Sequence, residues 1–456
     1  MRKEATAAST LARYATALRH EDIPAQVLRR AKDCLIDTIG AAVYGQAAPA
    51  GRIIVRYVRN GEGGGRCRIL GVGGASVAAE RAALANGVLA HALELDSLRK
   101  PGAGVHPGAV LVPAALAVAQ EEGLGGTALL TAVVAGCEVL FRIGRATKHS
   151  AEARGFHAPG LTGPFGAAAA AGHLLGLDAA AMRNALGIAG SLGGGLLEFA
   201  ASGDGGMVKR LHLGRAAAAG ITAARLAQAG FTGPAAVLEG EHGFLTAYCS
   251  DTDPAALTEG LGERFETSTI CFKAYACHIT AHTPVHALRT LQAEHGFAGK
   301  DVASVQVEGT PKMAALHGNR QPADTVAAQY SIAFCVAAAL LYDPADPATF
   351  IDTLPDPAVR DLCRRVEVLG SGGFASSWAT RTHIRLHDGR AFVAELDDVP
   401  GFPSQPFDAT RRRGKFLNLT ARLGAAAAPL LTRLEAIENE PGLEWLDAAA
   451  SGEGAC

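Results

Sequence analysis

Residues 210–229, RLHLGRAAAAGITAARLAQA, form the stretch that most clearly indicates the fold. Apolar side chains lie on nearly every side of a helix drawn through it, and the same holds for residues 178–195. A helix without a broad polar face is normally buried among other elements. Alanine, a strong helix former with a small side chain, dominates this stretch. We therefore predict core helices at both places, inside a large helical bundle.

Helical patterns continue through about the first 260 residues. In residues 24–43, PAQVLRRAKDCLIDTIGAAV, apolar side chains recur at the spacing of one helix face. Several further segments begin at Pro, Ser, Thr or Asp and end at Gly, as helices commonly do. These predicted helices are 76–93, 107–122, 126–146, 160–175, 178–195, 207–229 and 233–239. We predict an all-helical domain over residues 1–268.

The pattern changes after about residue 268. Strands are predicted at 302–309, 363–370, 381–387 and 390–396, and helices at 280–297, 323–342 and 356–363. Asp388-Gly389 between the last two strands is a strong hairpin signal. The chain becomes helical again from about residue 403. We predict a mostly α fold in which a smaller α+β lid domain, residues 269–402, is inserted into the helical domain, to which residues 403–456 return.

Composition limits the classes of partner. The 456 residues include 42 basic and 44 acidic ones, so a strongly basic surface for nucleic acid or an anionic membrane is not expected. The nine cysteines contain no Cys-x-x-Cys pair, which favours core thiols in a reducing compartment over a metal cluster. Apolar runs such as 108–119 fall short of the roughly 20 residues of a membrane span. We expect a cytoplasmic protein, and a loop rather than a nucleotide site in the glycine-rich tract 61–75.

Charged residues gather in residues 91–108, HALELDSLRKPGAGVHPG. They are His91, Glu94, Asp96, Arg99, Lys100 and His106. Pro107 suits the first turn of a helix, which places His106 at a helix N-terminus, where anions are favoured. An ordinary solvated loop with a capping histidine explains these residues equally well.

Two further stretches carry cations between or on helices. Residues 154–163 contain Arg154 and His157 in a glycine-rich connector, where a structural histidine is the more common interpretation. Residues 207–216 contain four basic side chains with no acid beside them: Lys209, Arg210, His212 and Arg215. A solvated basic face is one interpretation. The apolar continuation of this helix favours burial, and buried cations need counter-ions, for which a bound polyanion is a candidate.

Histidines also recur in residues 271–286, CFKAYACHITAHTPVH. His278, His282 and His286 are spaced four apart, but no glutamate accompanies them and Pro284 interrupts the helix, so a zinc site is disfavoured. Lys273 and Tyr275 lie at the predicted domain boundary, where a lysine can bind a carboxylate or act as a base.

Together these stretches indicate a site for a small polycarboxylate, without a metal or an organic cofactor. Cations and helix N-termini would hold carboxylates, and a histidine or lysine would take a proton from the carbon beside one of them. The enolate-like charge that develops needs electrostatic stabilisation. A second acid would then protonate a leaving hydroxyl, which is dehydration, or return a proton to the opposite face, which is epimerisation.

The chain resembles the 2-methylcitrate dehydratase family (MmgE/PrpD), which also contains cis-aconitate decarboxylase and iminodisuccinate epimerase. The similar stretches run in family order from about residue 25 to 420 and include HALELD, HPGAVLVPAALAVA, ARGFHAPGLTGPFGAAAAAGHLLGLD, VKRLHLGRAAAAGITAARLAQAGFTGPAAVLEGEHGF, FKAYACH and AAQYSIAF. The resemblance implies a helical domain with a smaller α+β lid, an active site between them, a homodimer and no cofactor.

The family's site positions fall on Glu94, Asp96, His106, His157, Lys209 and Lys273. As catalytic residues we predict His106, His157, Lys273 and Asp96, with His106 or His157 transferring protons. As substrate-binding residues we predict Glu94, Arg99, Lys100, Arg154, Lys209, Arg210, His212, Tyr275 and His278. The resemblance favours a carbon–oxygen lyase (hydro-lyase) similar to 2-methylcitrate dehydratase, or a decarboxylase, that acts on a small di- or tricarboxylate. The alternatives are an epimerase with two proton-transfer groups, a metallohydrolase and a non-enzymatic carboxylate-binding protein.

The chain departs from the family pattern at several of these motifs. Glu94-Leu95-Asp96-Ser97 stands where D-F-D-D-T is common, and Pro159 replaces the threonine of G-F-H-x-T-G. Alanines 274 and 276 replace the prolines that usually flank Tyr275. A donor lost from a polar pocket can change substrate preference by orders of magnitude. We therefore predict a substrate other than 2-methylcitrate.

Overall fold

The computed structural model describes residues 6–60, 64–74, 76–101, 104–200, 206–374 and 376–446. Residues 61–63 and 75 of the glycine-rich tract lie outside these ranges, as do residues 102–103 of the charged stretch 91–108. The fold is mostly helical, with 59% helix and a small mixed four-stranded sheet in the C-terminal region. The predicted fold class is confirmed.

The N-terminal part of the described chain is a bundle of long helices. Their bounds are α1 (Ala7–Ala17), α2 (Ala25–Gly45), α3 (Pro49–Arg59), α4 (Ala79–His91), α5 (Pro107–Glu122), α6 (Gly126–Ala146), α7 (Ala158–Leu174), α8 (Ala179–Leu192), α9 (Val208–Gln228) and the short α10 (Phe244–Tyr248). Two predicted helices, 107–122 and 126–146, have the predicted bounds. The helix predicted at 233–239 is wrong, because that segment forms turns.

Helix α9, which contains most of the opening stretch, lies at the centre of this bundle against α4, α5, α7 and α8. Its small residues allow backbones to touch: a Cβ built on Gly87 of α4 would come within 2.6 Å of the Gly214 Cα of α9. This contact is close because neither helix carries a side chain there.

Gly214→Ala is expected to lower the free energy of unfolding by about 1–3 kcal/mol, the usual range for an overpacked core. The added methyl group would overlap the carbonyl oxygen of Leu84 and touch Val88. Urea unfolding of the variant measures the loss. Gly414→Ala is the matched control, because a Cβ at that helical glycine meets nothing within 4 Å. An equal effect of both substitutions would contradict the proposed close packing.

Helix α6 is 21 residues long and apolar enough to cross a membrane by length and composition. The expectation that no segment reaches that length is therefore wrong for this helix. In the structure 89% of its most apolar window is buried inside the protein, and α6 packs against α7 and α5. This is the environment of a core helix in a helical bundle.

Four short strands lie before the C-terminal part. The strands are β1 (Cys67–Arg68), β2 (Ser76–Val77), β3 (Leu98–Arg99) and β4 (Ile270–Cys271). Strand β1 pairs with β2, and β3 pairs with β4, both antiparallel. The second pair joins the charged loop after α4 to a segment about 170 positions further along the chain.

The C-terminal part contains a second hydrophobic cluster around a four-stranded sheet. Its elements are α11 (His282–His295), β5 (Val302–Gly309), α12 (Pro311–His317), α13 (Thr325–Tyr330), α14 (Ile332–Leu341), α15 (Pro357–Arg364), β6 (Val366–Gly370), β7 (Thr380–Leu386) and β8 (Ala391–Leu396). The strand order is β6-β5-β7-β8, with β5 parallel to β6 and the other pairs antiparallel. Asp388-Gly389 turns the β7–β8 hairpin, as predicted, with Gly389 at φ 92°.

The chain then leaves the sheet and forms α16 (Ala409–Leu419) and α17 (Ala427–Glu435). Both helices pack against α2 near the start of the chain. The division into residues 1–268, 269–402 and 403–456 stays a prediction.

Candidate active site

The β3–β4 pair determines where the charged loop lies. Leu98 pairs with Cys271 and Arg99 with Ile270, and the Lys100 N–H donates to the Thr269 carbonyl at 3.2 Å. As a result the loop that follows α4 runs beside the segment that carries Lys273. Helix α9 brings a third part of the sequence to the same place.

Glu94 is the centre of a buried cluster of charges. Its carboxylate accepts hydrogen bonds from Lys209, Arg210 and Lys273, the last at 3.1 Å. Lys273 Nζ also donates to the Glu94 carbonyl oxygen at 2.8 Å. The residue has a left-handed backbone, φ 59°, which is uncommon for a side chain of this size and is often found at functional sites.

Three cations share this single carboxylate, so the cluster keeps a positive excess. Burial acts to raise the pKa of Glu94, but Lys209, Lys273 and Arg210 outweigh burial and hold its pKa well below the ordinary value. Burial lowers the pKa of Lys209 to about 7, although Glu94 acts in the opposite direction. Lys209 can therefore gain or lose a proton near neutral pH.

Asp96 joins two histidines. Its two carboxylate oxygens accept hydrogen bonds from His91 Nδ1 at 2.7 Å and from His106 Nδ1 at 2.8 Å. Burial lowers the pKa of His91 to about 3, so this imidazole is neutral and donates its Nδ1 proton. Burial acts to raise the pKa of Asp96, but the two histidines outweigh it and keep this carboxyl ionised. The carboxylate thus fixes the tautomer of His106, whose Nε2 remains for chemistry.

His157 forms a second pair of imidazoles with His212. Their Nδ1 atoms are 3.0 Å apart, so one donates and the other accepts. The ring of Phe199 packs edge-on against His157, with 5.2 Å between centroids. Burial lowers the pKa of His157 well below its ordinary value, with Lys209 acting in the same direction, and burial lowers the pKa of His212 to about 4. Both rings are neutral.

His278 and Tyr330 supply an aromatic wall beside the charges. The rings of His278 and His317 stack with 4.4 Å between their centroids, and the centroid of the Tyr330 ring lies 4.5 Å from that of His278. The Lys209 ammonium lies 5.0 Å from the centroid of the Tyr330 ring. We did not predict Tyr330 or His317 as site residues. The stretch AAQYSIAF, which carries the family resemblance, was a signal that could have identified the tyrosine.

Side chains from each of these clusters line one cavity of about 370 Å³. Its polar lining includes Glu94, Arg99, His106, His149, Glu152, His157, Lys209, Lys273, His278, Lys312, His317 and Tyr330. Its apolar lining includes Leu98, Leu197, Ile279, Met313, Leu316 and Trp378. A concave, partly apolar site with converging polar groups is the usual form of a small-molecule site.

Two family models match this chain over most of its length. The MmgE/PrpD N-terminal domain matches residues 9–257, and the MmgE/PrpD C-terminal domain matches residues 275–435. The chain belongs to the MmgE/PrpD family. The resemblance stated from its motifs is confirmed, and the protein is an enzyme of that family.

Several curated relatives are cis-aconitate decarboxylases. The enzyme of Aspergillus terreus is 30% identical over 421 residues, which cover 86% of this chain and 85% of its own. The human enzyme is 27% identical over 407 residues, covering 86% and 83%. A cis-aconitate decarboxylase-like protein oryM of Aspergillus oryzae is 33% identical over 308 residues, covering 64% and 63%. Two of these three relatives are named as decarboxylases of cis-aconitate and one as decarboxylase-like, so none of the three carries the name of the expected hydro-lyase.

Some predicted site residues of the MmgE/PrpD chain lie behind the cavity rather than in its wall. Asp96 supports His106, His212 supports His157, and Arg210 binds both Glu94 and, at 2.7 Å, the Gln329 side chain. These three side chains can act only through their neighbours in this arrangement. Glu94 lines the cavity and is the counter-ion of the cations, and its role in binding substrate stays a prediction.

Other predicted residues point elsewhere. Lys100 pairs with Asp398 at 2.7 Å and lies over the Phe402 ring, so it is absent from the described lining of the cavity. Tyr275 contacts His286 at 3.2 Å on the wall of a different cavity. Arg154 approaches the Cys249 carbonyl oxygen at 3.5 Å.

Arg99 lines the active-site cavity, but its guanidinium already has an acidic partner. It donates to Glu266 at 2.7 and 3.2 Å, and burial lowers its pKa. A substrate carboxylate would therefore have to compete with Glu266 for this guanidinium.

The three histidines considered for zinc do not converge. His278 lies against His317 and Tyr330, His286 bonds Tyr275, and His282 is buried beside the Tyr275 ring. The ligand atoms of His91, Asp96 and His106 do lie within 4.8 Å of one another. Both oxygens of this aspartate accept imidazole protons, so the group is arranged as a hydrogen-bonded triad.

Stability is expected to fall as the pH drops from about 6.5 towards 4. In the folded chain the pKa is lowered to about 3 for His91 and to about 4 for His212 and His317, whereas the unfolded chain protonates near 6.5. Below about pH 6.5 the unfolded state binds more protons than the folded state. The free energy of unfolding therefore falls by up to about 1.4 kcal/mol per pH unit for each histidine. Urea midpoints measured at pH 7.5 and 5.0 test this. Equal midpoints would show that these imidazoles are protonated in the folded state.

Proposed function

We propose that this enzyme decarboxylates a small unsaturated tricarboxylate of the cis-aconitate type. The observation that carries the proposal is the excess of positive charge at Glu94: Lys209, Arg210 and Lys273 share one carboxylate beside the His106–Asp96 pair. Three buried basic groups around one carboxylate favour a ligand that brings further carboxylates. The curated relatives support the same substrate class.

Lys209 and Lys273 would hold the carboxylates that remain in the product. Both ammonium groups are 1% exposed, so contact with a ligand carboxylate takes place in a medium where charge pairs are stronger than in water. The stacked His278 and the ring of Tyr330 would limit the directions that the ligand can take. In this proposal these contacts hold the carbon skeleton so that the reacting carboxylate lies away from the two ammonium groups.

The reacting carboxylate leaves as carbon dioxide when its bond to carbon breaks. The bonding electron pair must be delocalised through the neighbouring double bond, and one carbon must then take up a proton. Leu98, Ile279 and Trp378 give the cavity an apolar wall, which favours loss of a charged carboxylate as a neutral gas. The cations beside Glu94 would stabilise the negative charge that develops.

His106 is the proton donor in this proposal. Its Nδ1–H is held by Asp96, so a proton on Nε2 makes an imidazolium that this carboxylate stabilises. Transfer of that proton to carbon returns the ring to its neutral state. His157, which is neutral and lies at the start of α7, would orient a substrate carboxylate or a water molecule.

The test is incubation with cis-aconitate in deuterium oxide, followed by NMR and by measurement of released carbon dioxide. We expect one carbon dioxide per substrate and one non-exchangeable deuterium in a dicarboxylate product. A parallel incubation with citrate tests dehydration. Formation of an alkene from citrate without carbon dioxide would replace the proposal with a hydro-lyase. A third incubation, with an amino dicarboxylate, tests epimerisation. Deuterium exchange at its α-carbon without net loss of substrate would replace the proposal with an epimerase.

A further inference from the structure

A second cavity, of about 400 Å³, lies outside the active site. It is bounded by α2, α16 and α17 and by the aromatic rings of Phe272 and Phe407, and we call it the α2–α16 cavity. Its described lining shares no residue with that of the active-site cavity. Its volume is within the range of about 300–1,000 Å³ that is typical of small-molecule sites.

The walls of the α2–α16 cavity are basic. Six basic side chains line it, Arg29, Arg30, Lys32, Arg412, Arg413 and Lys415, against three acidic ones, Asp33, Asp37 and Glu435. Each acid already has a partner: Arg412 pairs with Asp33 at 3.2 Å, Arg413 with Glu435, and Lys415 with Asp37. The close ion pairs of these acids are therefore made with cations other than Arg29 and Arg30, although Asp33 also acts on Arg30 at longer range.

Arg29 and Arg30 keep an unmatched charge. Among the described residues, neither guanidinium has a carboxylate oxygen within 4.0 Å. Arg30 lies over the Phe272 ring, 5.4 Å from its centroid, and its pKa is lowered by burial. Arg29 is exposed, and Asp33 only partly offsets the effect of burial on Arg30, so a bound anion can offset the remaining desolvation cost of the Arg30 guanidinium.

We propose that the α2–α16 cavity is a second ligand site, which binds a small anion with at least two acidic groups at Arg29 and Arg30. Guanidinium groups suit carboxylate and phosphate equally, because both present paired oxygens to the planar fork. The shared chemistry is therefore a compact polyanion, and the choice between carboxylates and phosphates is left to the experiment.

Lys415 connects this cavity to the active site. Its ammonium group donates to the carbonyl oxygens of Lys273 at 2.8 Å and Leu95 at 3.4 Å, next to the residues of the Glu94 cluster. Lys415 also lines the α2–α16 cavity. A polyanion there attracts this ammonium group and weakens its hold on both carbonyls. Occupancy is therefore expected to raise KM for the tricarboxylate.

The test is calorimetric titration of the whole enzyme, without substrate, with pyrophosphate and separately with citrate. The double variant Arg29→Gln, Arg30→Gln is expected to bind the preferred probe at least about tenfold more weakly than wild type. Arg13→Gln, at an exposed arginine on α1, is the control and should bind as wild type does. Without a probe, the double variant should keep the wild-type KM and kcat.

The two probes and one further variant separate the outcomes. Stronger binding of pyrophosphate identifies a phosphate ligand, and stronger binding of citrate identifies a carboxylate ligand. Lys209→Met changes a side chain that lines the active-site cavity and not the α2–α16 cavity, so this variant should bind the preferred probe as wild type does. Unchanged binding in the double variant, or loss of all binding in Lys209→Met, would place the anion in the active site and overturn the proposal. Because binding is measured directly, the result does not depend on which reaction the enzyme catalyses.

Discussion

Glu94→Gln is expected to lower the free energy of unfolding by about 3–5 kcal/mol, the range for removing one partner of a buried ion pair. The amide keeps the shape of the side chain but loses its charge. Lys209, Arg210 and Lys273 would then remain buried without a counter-ion. Urea unfolding measures the effect, with Glu241→Gln on an exposed turn as the control.

The same variant also tests whether the cluster binds polyanions. A bound tricarboxylate would replace the missing charge of Glu94, so it should raise the melting temperature of Glu94→Gln by more than that of wild type. A loss of less than 1 kcal/mol would show that the three cations have other counter-ions. A smaller ligand-induced shift in the variant than in wild type would contradict carboxylate binding at this cluster.

His106→Ala is expected to lower kcat by about 10²–10⁴-fold, the usual contribution of a positioned acid or base. The imidazole lies in the cavity wall at the start of α5, and its Nδ1–H is held by Asp96 at 2.8 Å. Its loss removes the proton donor but leaves the ammonium groups of Lys209 and Lys273 in place. KM should therefore change much less than kcat.

Two comparisons make this result specific. Asp96→Asn keeps the size of the side chain but removes the charge that stabilises the imidazolium, so it should lower kcat in the same direction and shift the pH profile of kcat. His242→Ala, at an exposed turn, should leave both constants unchanged. A kcat for His106→Ala within threefold of wild type would assign the proton transfer to another group, of which His157 is the first candidate.

Helix positions were predictable where local patterns are strong. The segments 107–122 and 126–146 begin and end as predicted, because proline and glycine mark their ends and apolar residues fill them. The segment 323–342 was predicted as one helix but forms α13 and α14, since Ser331 caps α14 by accepting the Phe334 N–H at 2.9 Å. The segment 233–239 forms turns although its composition suits a helix.

The candidate site was predictable as a set of residues but not as an arrangement. Seven predicted side chains line one cavity: Glu94, Arg99, His106, His157, Lys209, Lys273 and His278. Nothing local predicts that Lys100, adjacent to Arg99, pairs with Asp398 instead. One supporting group was missed: Gln329 donates to the carbonyls of Leu93 and Ala276 at 2.9 Å, and its place in the stretch AAQYSIAF does not indicate these distant partners.

The sequence by itself determined the helical class, the α+β character of the C-terminal part, the family and seven of the polar side chains around the cavity. These follow from periodicity, turn chemistry and motifs, which depend on neighbouring residues. Only the tertiary structure decided the roles: it placed Glu94 as the counter-ion of three cations and Asp96 between two histidines. The physical reason is that these contacts join residues up to 179 positions apart through the β3–β4 pair and α9. The neighbouring charges at that junction keep both carboxyl groups ionised against the effect of burial.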